Sequence, residues 1–126
     1  MFTRFLPAAA VGALLLGGVF VQSGKASGWS HRELITVNVP IALPGVVLAA
    51  GTYSFEIPSE GSPTIVRVSS QDGRHVYLTQ FTLDVARPNK DEVPKMTFGE
   101  AAAGTARPVK VWYPDGSEAG KQFIYN

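Results

Sequence analysis

Glycine and proline recur so closely through this chain that little room is left for a helix. Pro40, Pro44, Gly45, Gly51, Pro58, Gly61, Pro63, Gly73, Pro88, Pro94, Gly99, Gly104, Pro108, Pro114, Gly116 and Gly120 punctuate it. Proline lacks the backbone N–H and fixes φ, and glycine loses the most backbone freedom on ordering, so both break helices and mark turns. Between the breaks, apolar residues return every second position, the period of a strand with one buried face. Ile35, Val37, Val39 and Ile41 alternate with Thr36, Asn38 and Pro40, and Pro40 puts the end of that strand at an edge or bulge. Val46 to Leu48 is a short apolar run after the Leu43-Pro44-Gly45 turn. Tyr53, Phe55 and Ile57 alternate with Thr52, Ser54 and Glu56.

Thr64 to Ser69 reads as a strand, and Asp72-Gly73 as a two-residue hairpin turn. Its partner runs from His75 to Leu83 or a little further, with His75, Tyr77, Thr79, Phe81 and Leu83 on one face and Val76, Leu78 and Gln80 on the other. Arg87 to Pro94 is a charged loop between prolines. Lys95 to Phe98 is a short strand with Met96 and Phe98 inward, and Gly99 to Arg107 a loop. Pro108 to Tyr113 and Lys121 to Tyr125 form the closing hairpin. Seven or eight short strands make an all-β, antiparallel domain, either a small sandwich or a barrel. No repeat of 20 to 50 residues is present.

The N-terminus follows a different rule. After Arg4, Phe5 to Val21 is uncharged and apolar, and small polar residues follow up to Gly28. A short basic start, an apolar middle and small residues at the end form a secretory signal peptide. Gly24-Lys25-Ala26 places small side chains at the third-last and last positions, so the cut is expected after Ala26, with Ala26-Ser27-Gly28 as the competing site. A membrane span needs about 20 apolar residues, and this run is slightly short and interrupted by Pro7, Gly12, Gly17 and Gly18. The expected organisation is a leader at 1–26, a flexible segment at 27–32 and one β-domain at 33–126, exported to the periplasm or secreted. No stable membrane span then remains.

Loss of the leader removes Arg4 and Lys25 and no acid, leaving nine basic and ten acidic residues, a net charge of −1. Lys and Arg are scattered, so nothing resembles an electrostatic footprint for nucleic acid. There is no cysteine. This excludes disulfides, thiol nucleophiles and Cys-ligated zinc, and the domain must fold on its apolar core alone.

Four phrases, ITVNVPIAL, VVLAAGTYSFEI, QDGRHVYLTQFT and KMTFGEAAAGTARPVKVWYPDGSEAGKQFIY, occur in this order. Over residues 34–125 they resemble an uncharacterised family of short exported all-β proteins of acidobacteria and other soil bacteria. That family carries a signal peptide, an LPAGTY-like turn and strand, and a W-YPG-G-F-YP-like ending. Ala49, Asp115 and Asn126 stand where the family pattern has Pro, Gly and Pro. The motifs are structural, so the resemblance implies a fold and export, and no activity.

No catalytic residue, metal ligand or cofactor is expected. Only two histidines are present, His31 in the segment after the leader and His75 beside the Asp72-Gly73 turn, and no Gly-x-Ser-x-Gly elbow occurs. Asp91 and Glu92 lack the spaced acidic pattern of a calcium loop. Glu56, Glu100 and Glu118 could form a hydrolytic pair only if the fold brought two together. The segment Gly99 to Gly104 lacks the Lys-Ser/Thr ending of a phosphate loop.

The aromatics remain. Core filling is the ordinary expectation for most of them, including Phe81, Tyr113, Phe123 and Tyr125. Trp112 falls on the opposite face from Val111 and Tyr113. Exposed and flanked by Lys110 and Gln122, it would suit a cell-envelope protein or a carbohydrate. The leading expectation is a non-enzymatic exported binding or interaction module. The alternatives are a hydrophobic-ligand carrier with a barrel interior and a small carboxylate-dependent hydrolase. The first requires an exposed apolar patch over a filled core.

Overall fold

The structure, a computed structural model, describes residues 21–25, 32–89 and 93–126. Among the described residues it is all-β, with ten strands: β1 Val21–Lys25, β2 Arg32–Val37, β3 Ile41–Leu43, β4 Val46–Leu48, β5 Gly51–Glu56, β6 Ile65–Ser70, β7 Val76–Ala86, β8 Met96–Phe98, β9 Arg107–Trp112 and β10 Ala119–Phe123. They form one sheet in the order β1-β2-β5-β6-β7-β10-β9-β3-β4, with β8 added beside β9. The path ends at β1 and β4, so the sheet is open and is not a closed barrel. Every ladder is antiparallel except one: β3 runs parallel to β9, pairing Ile41 with Arg107 and Ala42 with Pro108.

The sheet doubles back on itself. β7 is 11 residues long; Val76 to Phe81 face β6 and Thr82 to Ala86 face β10. This one strand carries the hydrogen bonding from a layer of β1, β2, β5 and β6 into a second layer of β10, β9, β3 and β4. Between the layers lie Ile35 and Val37 of β2, Ile41 of β3, Phe55 of β5, Val66 and Val68 of β6, Met96, Val109, Trp112 and Phe123. The Phe55 and Trp112 rings meet across the core at 5.6 Å between centroids. Such tilted aromatic pairs add to the gain from area burial alone.

Several boundaries differ from the sequence reading. The alternation from Ile35 to Ile41 is two strands, because Pro40 cannot donate to a ladder and the chain leaves β2 at Val37 to open β3 at Ile41. The Asp72-Gly73 turn is wider than two residues. Gly73, at φ +79°, donates to the Ser70 carbonyl, and the Asp72 carboxylate accepts from the Arg74 N–H and the Ser70 hydroxyl. Arg32, expected in the flexible segment, opens β2 and donates to the Ser54 hydroxyl and the Gln71 carbonyl. Residues 21–25, expected at the end of the leader, form β1. Residues 1–20 and 26–31, including His31, and residues 90–92 of the charged loop lie outside the described residues.

Two irregularities set which side chains face the core. Opposite β8, Thr97 pairs with Val111 but Phe98 pairs with Val109, so Lys110 is an extra residue in β9. Such a bulge lets Val109 and Trp112, three positions apart, both reach the core while Lys110 turns out. Opposite β6, Val68 pairs with Leu78 but Ser69 with Val76, so the register of β7 shifts around Tyr77.

Candidate functional site

Trp112, the sequence-derived candidate for a binding surface, is fully buried. Its indole N–H donates to Glu33 Oε1 at 2.9 Å. The other Glu33 oxygen accepts from Lys95 Nζ at 2.8 Å and from the Asp115 backbone N–H at 3.1 Å. Lys95 also donates to Asp115 Oδ1 at 2.6 Å and to the Tyr113 carbonyl. Trp112 is therefore covered and offers no binding surface, because the bulge at Lys110 returns the indole to the core, where an inward acid satisfies its N–H. Glu33 is the polar residue the sequence reading missed, and its signal was its parity with Ile35 and Val37. An acid on a core-facing register needs buried donors, since an unpaired carboxylate in an apolar interior is costly. The Lys95 hydrogen bond holds the exposed Asp115 carboxyl below its ordinary range.

The other two candidates are placed apart from Trp112. Lys110 is exposed on the bulge, and Gln122 is half-buried on β10, paired with Val111 on one side and Leu83 on the other. Tyr113 lies over Gly120 on this outer face. A Cβ on Gly120 would come within 2.5 Å of the Tyr113 ring and 2.8 Å of Val111. Glycine at this position is what lets the Tyr113 ring lie against the backbone of β10. The Arg87 guanidinium stands 5.9 Å from the Tyr113 ring centroid and donates to the Pro114 and Ser117 carbonyls. Tyr113 and Val111 are thereby buried without entering the main core. Phe123 is in the core as expected, whereas Tyr125, also expected there, is 39 % exposed. Its hydroxyl donates to the Val109 and Ala42 carbonyls, and burial of that end pushes its pKa up to about 12.

Exposed apolar side chains concentrate elsewhere, on β7. Phe81 is 65 % exposed, Leu83 54 % and Val76 53 %. Phe81 is paired with Ile65 and Leu83 with Gln122. Their neighbours Leu78 and Thr82 turn inward, Leu78 against the core. The expectation that Phe81 fills the core is corrected: the core side of β7 is fixed by Val66 and Val68 of β6, and Phe81 has the opposite parity to Leu78. Tyr77, assigned by period to the same face, instead meets Tyr53 edge-on at 5.7 Å between ring centroids, beside His75. Of the three sequence candidates, only Gln122 borders the exposed stripe.

A surface cleft of about 590 Å³ lies between Val39-Pro40 and the loop Glu100 to Thr105. Its lining combines the apolar Val39, Pro40 and alanines 101–103 with the polar Glu100, Thr105 and Arg107. His75 lies exposed beside the turn, and among the described residues no three His, Asp or Glu cluster as a metal site would require.

A scan against protein-family models finds no match to this chain, a search of curated proteins finds none, and a search of solved structures finds none.

Proposed function

We propose that this chain is an exported, non-enzymatic β-domain that acts as a binding or interaction module in the cell envelope or outside the cell. Its leader, residues 1–26, directs export, and the domain from residue 33 onward works after the leader is removed. The motifs that resemble a family of short exported all-β proteins agree with this reading. The observation that carries it is the outer face of β7, where Phe81 and Leu83 stand largely exposed over a filled core. Grouped exposed apolar side chains mark partner surfaces more often than isolated ones do. The contact expected is a flat apolar one with a hydrogen-bonding border from Gln122 and Thr79, matched to an envelope protein or the apolar face of a carbohydrate.

The test is co-sedimentation of the exported protein with isolated cell envelopes. Wild type is expected in the pellet, and the Phe81→Ser/Leu83→Ser double variant in the supernatant with its stability intact. Lys110→Ala, remote from the stripe, should behave as wild type. Equal pelleting of wild type and double variant removes β7 from the reading, and absence of wild type from the exported fraction removes the export.

A further inference from the structure

We propose that the exported and processed chain pairs with a second copy of itself through the edge of β2, a seat that β1 fills before processing. The inference rests on the proposed cut after Ala26. In the structure β1 lies antiparallel on β2, with five residue pairs from Val21 opposite Val37 to Lys25 opposite Glu33. All five β1 residues belong to the proposed leader. A cut after Ala26 removes them together, and the N–H and C=O groups of β2 that faced β1 lose their partners. A bare sheet edge of this kind is a template for another strand.

The exposed edge carries none of the usual protection. Arg32 to Val37 contains neither proline nor glycine, and its register with β5 runs without a bulge. Its one acid, Glu33, is turned inward and saturated by Trp112, Lys95 and Asp115. Arg32 is engaged with Ser54 and Gln71, and Thr36 with the Thr52 hydroxyl. Leu34 is left as the half-buried apolar residue of the outer face.

The occupant that fits is the same strand from a second molecule. Opposed residues of an antiparallel ladder share a face, and β1 sets Val21 opposite the buried Val37. Two copies of β2 related by a two-fold axis through Leu34 keep that rule. Glu33 then stands opposite Ile35, and Leu34 faces its own copy where β1 had offered only Gly24. Leu, Ile, Thr and Val suit a ladder better than the Gln, Ser, Gly and Lys they replace. A net charge of −1 opposes the approach of two copies only weakly. The other edges of the sheet, β4 and β8, are each three residues long, so neither offers a comparable template. One usable edge gives an isologous pair that closes at two copies instead of a fibre.

The experiment takes the full chain, expressed with its own leader and recovered from the exported fraction. Intact mass reads the N-terminus and sedimentation velocity reads the assembly. The expected result is a chain beginning at Ser27 with twice the monomer mass. In this cysteine-free protein, Leu34→Cys should form a reducible cross-linked dimer on mild oxidation, because directly opposed residues of paired strands have Cα atoms close enough for a disulfide. Leu34→Lys, which sets two like charges across the axis, should be monomeric with an unchanged circular dichroism spectrum. Should that variant fail to fold, the Leu34→Cys cross-link decides alone. A chain beginning at Ser27 that stays monomeric, assembles without limit, or carries a foreign polypeptide on this edge overturns the pairing and leaves the export reading standing. An N-terminus at or before Val21 overturns both the pairing and the proposed cut.

Discussion

Glu33 sits where a carboxylate survives only with partners, and the fold supplies three from distant parts of the chain. The indole of Trp112, the ammonium of Lys95 and the N–H of Asp115 converge on its two oxygens. Removing one member of a buried pair leaves the other charged group without compensation, which commonly costs about 3 to 5 kcal/mol. Glu33→Ala should therefore lower stability by about that much, a large share of the 5 to 15 kcal/mol typical of a small domain. Glu33→Gln, which can still accept the indole N–H but offers no charge to Lys95, should lose less. Urea unfolding followed by Trp fluorescence measures both, and an alanine variant as stable as wild type would show that the carboxylate is not what holds the indole. The sequence carried half of this arrangement. Glu33 shares parity with Ile35 and Val37, so its inward direction was legible. That Lys95 and Trp112 would meet it was not, because their contact depends on β9 folding back over β2.

At the scale of the element, the strands that read clearly were those with an unbroken period. Phe55 and Ile57 and the Val66 and Val68 face appear as alternation predicts. The failures fall at bulges. One extra residue, Lys110, reverses the parity of everything after it in β9, and the shift around Tyr77 does the same at the start of β7. Composition offers no warning of either, since each is set by the partner strand. The turn of the closing hairpin also carries a pH dependence. Asp115 is held below its ordinary pKa chiefly by the Lys95 hydrogen bond. A depressed carboxylate contributes stability that is full above its unfolded value of about 4 and is lost as pH falls through the lower folded value. The melting temperature of wild type should thus drop on acidification below about pH 4, and Asp115→Asn should remove part of that drop while lowering stability at neutral pH. Asp72, lowered by the Arg74 N–H and the Ser70 hydroxyl in the opposite hairpin, should act independently, so the double variant should show the sum of the two effects. Identical acid profiles for wild type and Asp115→Asn would separate this turn from the acid response.

For the whole molecule, the decisive strand is β7, which belongs to both layers. Its first half pairs with β6 and its second with β10, and the handover falls at Phe81 and Thr82. Thr82 fixes that point by donating both its N–H and its hydroxyl to the Thr64 carbonyl. Neither layer can then lose its pairing to β7 without fraying the strand that the other depends on, and the two also share Phe55 against Trp112. Contacts such as Ile41 with Arg107 and Glu33 with Trp112 join distant parts of the chain, so partial structures gain little until the sheet has doubled over. The domain should therefore unfold in one transition. Trp112 reports on the β9–β10 layer, and the edge-on rings of Tyr53 and Tyr77 report on the β5–β7 end. In a Trp29→Phe/Tyr113→Phe/Tyr125→Phe background, which leaves Trp112 as the sole indole and Tyr53 and Tyr77 as the sole phenols, Trp fluorescence and tyrosine near-ultraviolet dichroism should trace superimposable urea curves. Thr82→Val, which keeps the side-chain volume but removes the hydroxyl donor, should shift both curves together to lower urea. Two separated midpoints would instead mean that the layers are independent units joined by β7 as a tether. The β7 surface would then have to be understood as part of a movable junction and not as a fixed face.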